Sequence, residues 1–318
     1  MKNREQPVRA FISPGQGSQA VGMGVVLADA SATARAVFEE VDDALGANLF
    51  RLMAEGPADD LTLTENAQPA IMANAIATLR VLERDGGVSL ADKAACVAGH
   101  SLGEYSALCA AQAMDLATTA KLLRLRGQAM QAAVPVGEGA MAALLGADFA
   151  LAESICAEAA EGEVCQPAND NGGGQVVISG AKAAVERAMA LSKERGVKRA
   201  VPLPVSAPFH CALMQPAADA MADALAKVRL RAPLVPLYAN VTAGAVASPD
   251  VIRDLLVRQV TGTVRWRESV EAMVAAGVTE FVEVGAKVLG PMVKRIAPDA
   301  TATSVLTMAD VETLAATL

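Results

Sequence analysis

The chain has 318 residues, 53% of them hydrophobic and only 3% aromatic, with 27 basic against 35 acidic side chains. This is enough apolar material for one large core or two smaller ones, and a net charge of −8 excludes broad nucleic-acid binding, which needs a basic surface. The longest uncharged run, 200–218, holds four prolines and cannot span a bilayer.

The stretch Met1 to Val8 is charged and polar, so no signal peptide is expected. Five scattered cysteines, Cys96, Cys109, Cys156, Cys165 and Cys211, form no Cys-x-x-Cys pair and point to a reducing, cytoplasmic setting. With two histidines in the whole chain, no His-based metal site is expected.

In chain order, Val8 to Ser13 reads as a short buried strand. It runs into Pro14-Gly15-Gln16-Gly17-Ser18-Gln19, a glycine-rich turn before a helix. Gly15 to Ala20 also fits the Gly-x-Gly-x-x-Ala dinucleotide fingerprint, but no strand with a terminal acidic residue follows at the expected distance. The turn is therefore read as backbone N–H groups aimed into a site, with Gln16 adding an amide. Ala30 to Leu45 and Asp59 to Leu82 are predicted helices; Gln68-Pro69 lies at the start of the second and Gly86-Gly87 ends it.

Gly99-His100-Ser101-Leu102-Gly103 follows an apolar run, Ala94 to Ala98, and precedes a proline-free stretch, Leu102 to Met114. Strand, sharp turn and helix are the setting in which Gly-x-Ser-x-Gly forms a nucleophile elbow. A side chain at Gly99 or Gly103 would collide across the turn that lifts Ser101 above the sheet. At a helix start the Ser101 hydroxyl lies beside unpaired N–H groups able to hold an oxyanion. His100 is expected to pack away from Ser101 with a hydrogen bond of its own.

The predicted helix Leu116 to Ala133 carries two candidate cations. Arg124 has Ala120, Lys121, Gly127 and Gln128 as its helical neighbours, a mostly polar face. Arg126 has Leu122, Leu123, Ala129 and Met130, an apolar one. A guanidinium aimed into apolar surroundings needs an anion. Helix geometry leaves open whether that is a protein carboxylate or a substrate carboxylate.

The pattern then changes. Ala140–Leu145, Val164–Ala168, Gln175–Ser179 and Val197–Leu203 read as strands, and Asp148–Glu161 and Ala181–Arg195 as helices, with an Asn/Asp/Gly turn at 169–174. The order β-α-β-β-α-β is that of a ferredoxin-like unit. It predicts a small subdomain, 136–204, inserted into a larger α/β domain made of 1–135 and 205–318, with the ligand cleft between them. His210 follows a proline-rich segment and can reach back to Ser101, serine before histidine being the hydrolase-like chain order. Beyond it come a strand at Leu234–Ala239 ending at Asn240, helices at Asp250–Gln259 and Arg265–Ala276, and a strand at Glu280–Val284. No carboxylate announces itself as a third triad member.

Taken together, Pro14-Gly15-Gln16-Gly17-Ser18-Gln19, Gly99-His100-Ser101-Leu102-Gly103-Glu104, Arg126-Gly127, Asn169-Asp170-Asn171, Phe209-His210 and Arg258-Gln259 resemble the malonyl-CoA:acyl-carrier-protein transacylases and related acyltransferase domains of fatty-acid and polyketide synthesis. The resemblance runs from about Phe11 to Ile296. It implies a hydrolase-like α/β fold with a parallel sheet, Ser101 as nucleophile and His210 as base, the histidine being oriented by the main-chain carbonyl of Gln259 in place of an acid. It implies an oxyanion hole of the Gln16 and Leu102 N–H groups and Arg126 on the free carboxylate of a malonyl group. Gln68 would line the same pocket, and the Phe209 ring would leave little room for a 2-methyl group. Malonyl-CoA and an acyl carrier protein would be the partners, with no cofactor of the enzyme's own.

Acidic carrier proteins call for a basic docking face. Residues 182–199, with six cations against two carboxylates, are the candidate. Two departures from the family pattern fall at Thr263-Val264-Arg265, where a proline is common, and at Gly285-Ala286-Lys287, where Gly-Pro-Gly is. A serine hydrolase or thioesterase would share the elbow and His210; a non-catalytic acyl-CoA-binding module would not need Ser101.

Overall fold

Among the described residues, ten strands form two separate sheets: β1 (Arg9–Ser13), β2 (Cys96–Gly99), β3 (Gly139–Leu145), β4 (Cys165–Asp170), β5 (Gln175–Ala181), β6 (Arg199–Pro202), β7 (Leu237–Ala239), β8 (Gly244–Val246), β9 (Glu280–Val284) and β10 (Thr301–Val305). This computed structural model describes residues 7–318, so most of the polar N-terminal stretch, residues 1–6, lies outside the described residues. The larger sheet has the order β10-β9-β1-β2-β7-β8. Its first five strands are parallel and β8 returns antiparallel beside β7. The smaller sheet, β4-β5-β3-β6, is antiparallel throughout. The molecule is thus a mixed α/β protein with a parallel-rich sheet and a second, antiparallel one.

The strand pattern explains how the two sheets meet. Along β3 and β5, Ala142, Leu144, Val176 and Ile178 point to one side, into a small core shared with the helices Phe149–Ala160 and Lys182–Glu194. The alternate residues Met141, Ala143 and Val177 belong instead to the main core. A period of two thus divides one sheet's burial between two cores. Among the described residues no helix is long and apolar enough to cross a membrane. All five cysteines are buried free thiols.

Several predicted boundaries shift for local reasons. The helix expected over 59–82 is broken at Leu63, whose ψ of 130° is extended, giving Ala58–Thr62 and Thr64–Arg84. Ser31 breaks the one expected over 30–45: it has extended backbone and its hydroxyl accepts the N–H of Ala34, capping Ala32–Leu45. Strand β4 runs two residues further than predicted, through Asn169 and Asp170, because Asp170 N–H bonds to Val264 O at 2.9 Å, a partner distant in sequence. The helices Gln215–Ala226 and Leu289–Ile296, strand β10 and the helix Met308–Ala315 were not predicted.

Two loops at the carboxyl ends of neighbouring parallel strands make the cleft floor. Ser13 of β1 is in register with Gly99 of β2, and His100 N–H donates to Ser13 O at 3.1 Å. The glycine-rich turn and the elbow therefore run side by side. A Cβ at Gly103 would lie 2.3 Å from Ser13 O, and one at Gly15 would lie 2.8 Å from His100 O. At Gly99 it would overlap the Gly103 carbonyl at 1.9 Å. Gly99→Ala is expected to cost about 4 kcal/mol or more in thermal or denaturant unfolding, the range of severe core overlap. Gly46→Ala, at an open helix end with nothing within 4 Å, should cost only the left-handed backbone strain, about 1 kcal/mol.

Candidate active site

The elbow places Ser101 at φ +53°, between β2 and the helix Gly103–Ala110. Non-glycine residues rarely hold this conformation unless their surroundings impose it. Here the clamp is Asn240, at the end of β7. Its Oδ1 accepts the Ser101 N–H at 2.8 Å and its Nδ2 donates to Gly99 O at 2.7 Å. The Ser101 N–H is thus consumed. Among the described residues, the N–H groups of Leu102 and Gln16 donate to no protein acceptor, and both residues belong to the two adjoining loops.

The Ser101 hydroxyl meets His210 Nε2 at 2.7 Å. The other ring nitrogen, Nδ1, faces two main-chain carbonyls, Gln259 O at 2.9 Å and Gly262 O at 3.2 Å. Carbonyls only accept, so the hydrogen sits on Nδ1 and the Nε2 lone pair is left for the Ser101 O–H. His210 is itself at φ +59° and 4% exposed. Burial, and then repulsion from the Arg126 guanidinium, push its pKa from the ordinary 6.5 down to about 3, against the smaller opposing effect of the Gln259 carbonyl. It is neutral at physiological pH, as a proton acceptor must be.

Arg126 comes from the helix Leu116–Ala132, whose start is capped by Asp115. It is 1% exposed. Nη1 donates to Gln68 Oε1 at 2.7 Å, and Nη2 donates to Gln259 Oε1 at 2.9 Å and to Ser101 Oγ at 3.2 Å. The guanidinium lies 5.7 Å from the centroid of the Tyr105 ring. Among the described residues no carboxylate lies within ion-pair distance of it, and its buried Nε–H has no acceptor at all. Gly127 allows this approach: a Cβ there would lie 2.5 Å from Glu65 Cα on the helix that carries Gln68.

These groups open on a cleft of about 310 Å³ between the two sheets. Gln16, Gln68, Ser101, Arg126, Phe209 and His210 line it, with Met130, Met141, Leu203 and Val205 on its apolar walls. Of the other predicted site residues, Leu102 follows Ser101 directly and Gln259 bonds both His210 and Arg126. The Gln16 side chain reaches Thr64 Oγ1 at 3.2 Å. His100 borders the cleft and bonds Asn171 Oδ1 through Nε2 at 2.9 Å, the self-satisfied role expected of it.

Three participants carried no role in the sequence reading. Asn240 was seen only as a strand end, although a polar residue at the carboxyl end of a buried parallel strand is itself a signal. The Gly262 carbonyl could not be found from residue types. Glu104 sits in the otherwise apolar elbow helix, 1% exposed, and accepts from Asn240 N–H at 2.9 Å and from Gln259 Nε2 at 3.0 Å. Burial pushes its carboxyl up to about 7, against the Asn240 and Gln259 hydrogen bonds that lower it.

A strained serine on an elbow, backed by an oriented imidazole and two free N–H groups, defines an acyl-transferring enzyme, and the chain is an acyltransferase. The acyl transferase domain family matches residues 10–308, and the chain belongs to that family. It is 49% identical over 296 residues to the malonyl CoA-acyl carrier protein transacylase of Escherichia coli K12, covering 93% of this chain and 94% of that one. The crystal structure of an acyl-carrier-protein-S-malonyltransferase from Bartonella henselae superposes with a TM-score of 0.95 at 56% identity, covering 96% and 98% of the two chains. A malonyl-transacylase in complex with its type II PKS acyl-carrier protein is similar too, with a TM-score of 0.94, 42% identity and coverage of 98% and 100%.

Because the His210 pKa lies far below 6.5, the acidic limb of kcat/KM for acylation should fall well under pH 6.5. Arg126→Met removes the nearby positive charge and should move that limb upward. Rates of acyl-enzyme formation from acetyl-CoA between pH 4 and 8 measure both; a wild-type limb at 6.5, or one unmoved by the substitution, contradicts the assignment.

Proposed function

We propose that the protein transfers a malonyl group from malonyl-CoA to the phosphopantetheine thiol of an acyl carrier protein, through a malonyl ester on Ser101. The observation that carries this reading is Arg126. A buried cation held by two neutral amide oxygens, with no carboxylate partner among the described residues, 3.2 Å from the nucleophile oxygen, fits an acyl group that brings its own carboxylate. An acetyl group would leave it buried and unpaired, at a cost of several kcal/mol. The sequence left the anion's identity open; this geometry favours the substrate.

In the proposed mechanism, His210 takes the Ser101 proton through Nε2 as Oγ attacks the thioester carbonyl. The oxyanion is held by the N–H groups of Gln16 and Leu102, each such donor being worth about 3 kcal/mol. The Nδ1–H bond to Gln259 O orients the ring, so the pair acts as a dyad with a carbonyl in place of an acid. Coenzyme A leaves with the proton from His210. The carrier thiol then gives its proton to His210 and attacks the ester, and Ser101 departs reprotonated. One thioester replaces another, so no metal, redox cofactor or ATP is needed. The Phe209 ring, 7% exposed at the cleft wall, is read as excluding 2-branched acyl groups.

We further read the small sheet with its two helices as an inserted ferredoxin-like subdomain, 136–204, and residues 1–135 and 205–318 as a hydrolase-like domain. The strand order β4-β5-β3-β6, with helices following β3 and β5, supports this. The candidate docking face on 182–199 is smaller than its charge count. Arg187 pairs with Glu161 and Glu163, and Arg195 with Glu158, leaving Lys182, Lys193, Lys198 and Arg199 for an acidic carrier. Reversing Lys193 and Lys198 to Glu should raise KM for the carrier severalfold and leave hydrolysis of malonyl-CoA unchanged.

Intact-mass measurement after incubation with malonyl-CoA tests the main reading. One malonyl adduct is expected, absent from Ser101→Ala. Arg126→Ala should cut malonyl transfer at least about 100-fold, equivalent to about 3 kcal/mol, with a much smaller effect on acetyl transfer. Equal losses for both donors would remove the carboxylate-binding role.

A further inference from the structure

Between the buried carboxylate of Glu104 and the buried guanidinium of Arg126 stands a single side chain, the amide of Gln259. Its Nε2 lies 3.0 Å from Glu104 Oε2, 3.0 Å from Ser101 O and 3.3 Å from Asn240 Oδ1. All three are acceptors. Its Oε1 lies 2.9 Å from Arg126 Nη2, a donor. Turning the amide over would set oxygen against three oxygens and N–H against N–H. One orientation therefore survives, and the one carboxylate among the three acceptors that choose it is Glu104.

We infer that Glu104 is a positioning residue for acyl-group selection: by fixing the Gln259 amide it holds Arg126 beside Ser101 while keeping its own carboxylate off the guanidinium. The inference rests on the carboxylate-binding role proposed for Arg126. It adds the reason that role is open. A direct Glu104–Arg126 ion pair would satisfy the cation from within the protein and draw it from the nucleophile. With an amide interposed, the guanidinium keeps N–H groups for an incoming carboxylate. Gln68 does the same from the other side with a second neutral oxygen, at 2.7 Å. Gln259 is also the residue whose main-chain carbonyl orients His210, so its side chain and backbone hold the two groups that touch the Ser101 hydroxyl.

The test is the ratio of kcat/KM for malonyl-CoA to that for acetyl-CoA, read from Ser101 acylation in wild type, Glu104→Gln, Arg126→Ala and the double variant. Glu104→Gln takes away the carboxylate that anchors the Gln259 amide, leaving only the Ser101 and Asn240 oxygens to hold its Nε2, and should lower the ratio at least tenfold. In the double variant the ratio should fall no further than in Arg126→Ala alone, because the glutamate acts through the arginine. A ratio unchanged in Glu104→Gln, or losses that multiply in the double variant, overturns the inference. Should Glu104→Gln not fold, Gln259→Met decides: it keeps the carbonyl to His210 and cuts the amide link, and an unchanged ratio there also overturns it. If Arg126→Ala itself leaves the ratio untouched, the carboxylate-binding reading fails instead. If Arg126→Ala collapses the ratio and Glu104→Gln does not, only the present inference falls.

Discussion

The structure turns on a guanidinium that has been taken out of water without being given a carboxylate. Desolvating Arg126 is costly, and the usual remedy is an ion pair. Here the side-chain partners are the amide oxygens of Gln68 and Gln259, the Ser101 hydroxyl and the face of Tyr105. Each is neutral, so the charge is partly compensated and remains available. The same charge helps keep His210 deprotonated, since repulsion by Arg126 is second only to burial in lowering its pKa. The guanidinium and the imidazole are therefore coupled electrostatically across one serine oxygen. An acyl group bearing a carboxylate would neutralise the cation and make the imidazole a stronger base at the moment it is needed.

Holding that serine in reach requires backbone strain, and the strain is supported from the sheet. The elbow and the glycine-rich turn follow adjacent strands, so their N–H groups lie next to one another by register alone, Ser13 beside Gly99. The glycines at 15, 99 and 103 permit a separation that any Cβ would prevent. Asn240 arrives from the strand on the other side of β2 and takes up the Ser101 N–H. The N–H groups that remain without a protein acceptor among the described residues are those of Leu102 and Gln16. Strand order, not any one motif, brings the three loops together.

This division explains what could be read in the sequence. Local chemistry was legible: the elbow from two glycines around a serine, the apolar setting of Arg126 from its helical neighbours, the strands of the second, antiparallel sheet from their alternation with helices. The self-satisfied His100 was also legible, because a residue beside the nucleophile on a tight turn has few other options. What depended on long-range pairing was not. The extension of β4 through Asp170 is set by Val264, and the placement of Asn240 and Glu104 by contacts more than 100 residues away in sequence. Helical spacing alone left the anion partner of Arg126 open for the same reason, since it gives an environment but never a partner on another element, and only the family resemblance pointed to a substrate carboxylate.

The loop carrying the carbonyls that orient His210 belongs to the larger sheet's side of the molecule, yet the smaller sheet anchors it. Thr263 Oγ1 donates to Pro167 O at 2.7 Å, Val264 N–H to Ala168 O at 2.8 Å, and Asp170 N–H returns to Val264 O at 2.9 Å. The Arg265 N–H is used in turn by Asn240 O at 3.0 Å. A proline at 264 or 265 would delete one of these donors. Asp170 is further tied to Arg267 at 2.9 Å, with the carboxylate side chain only 3% exposed. The imidazole is thus aligned by a segment stitched to both sheets.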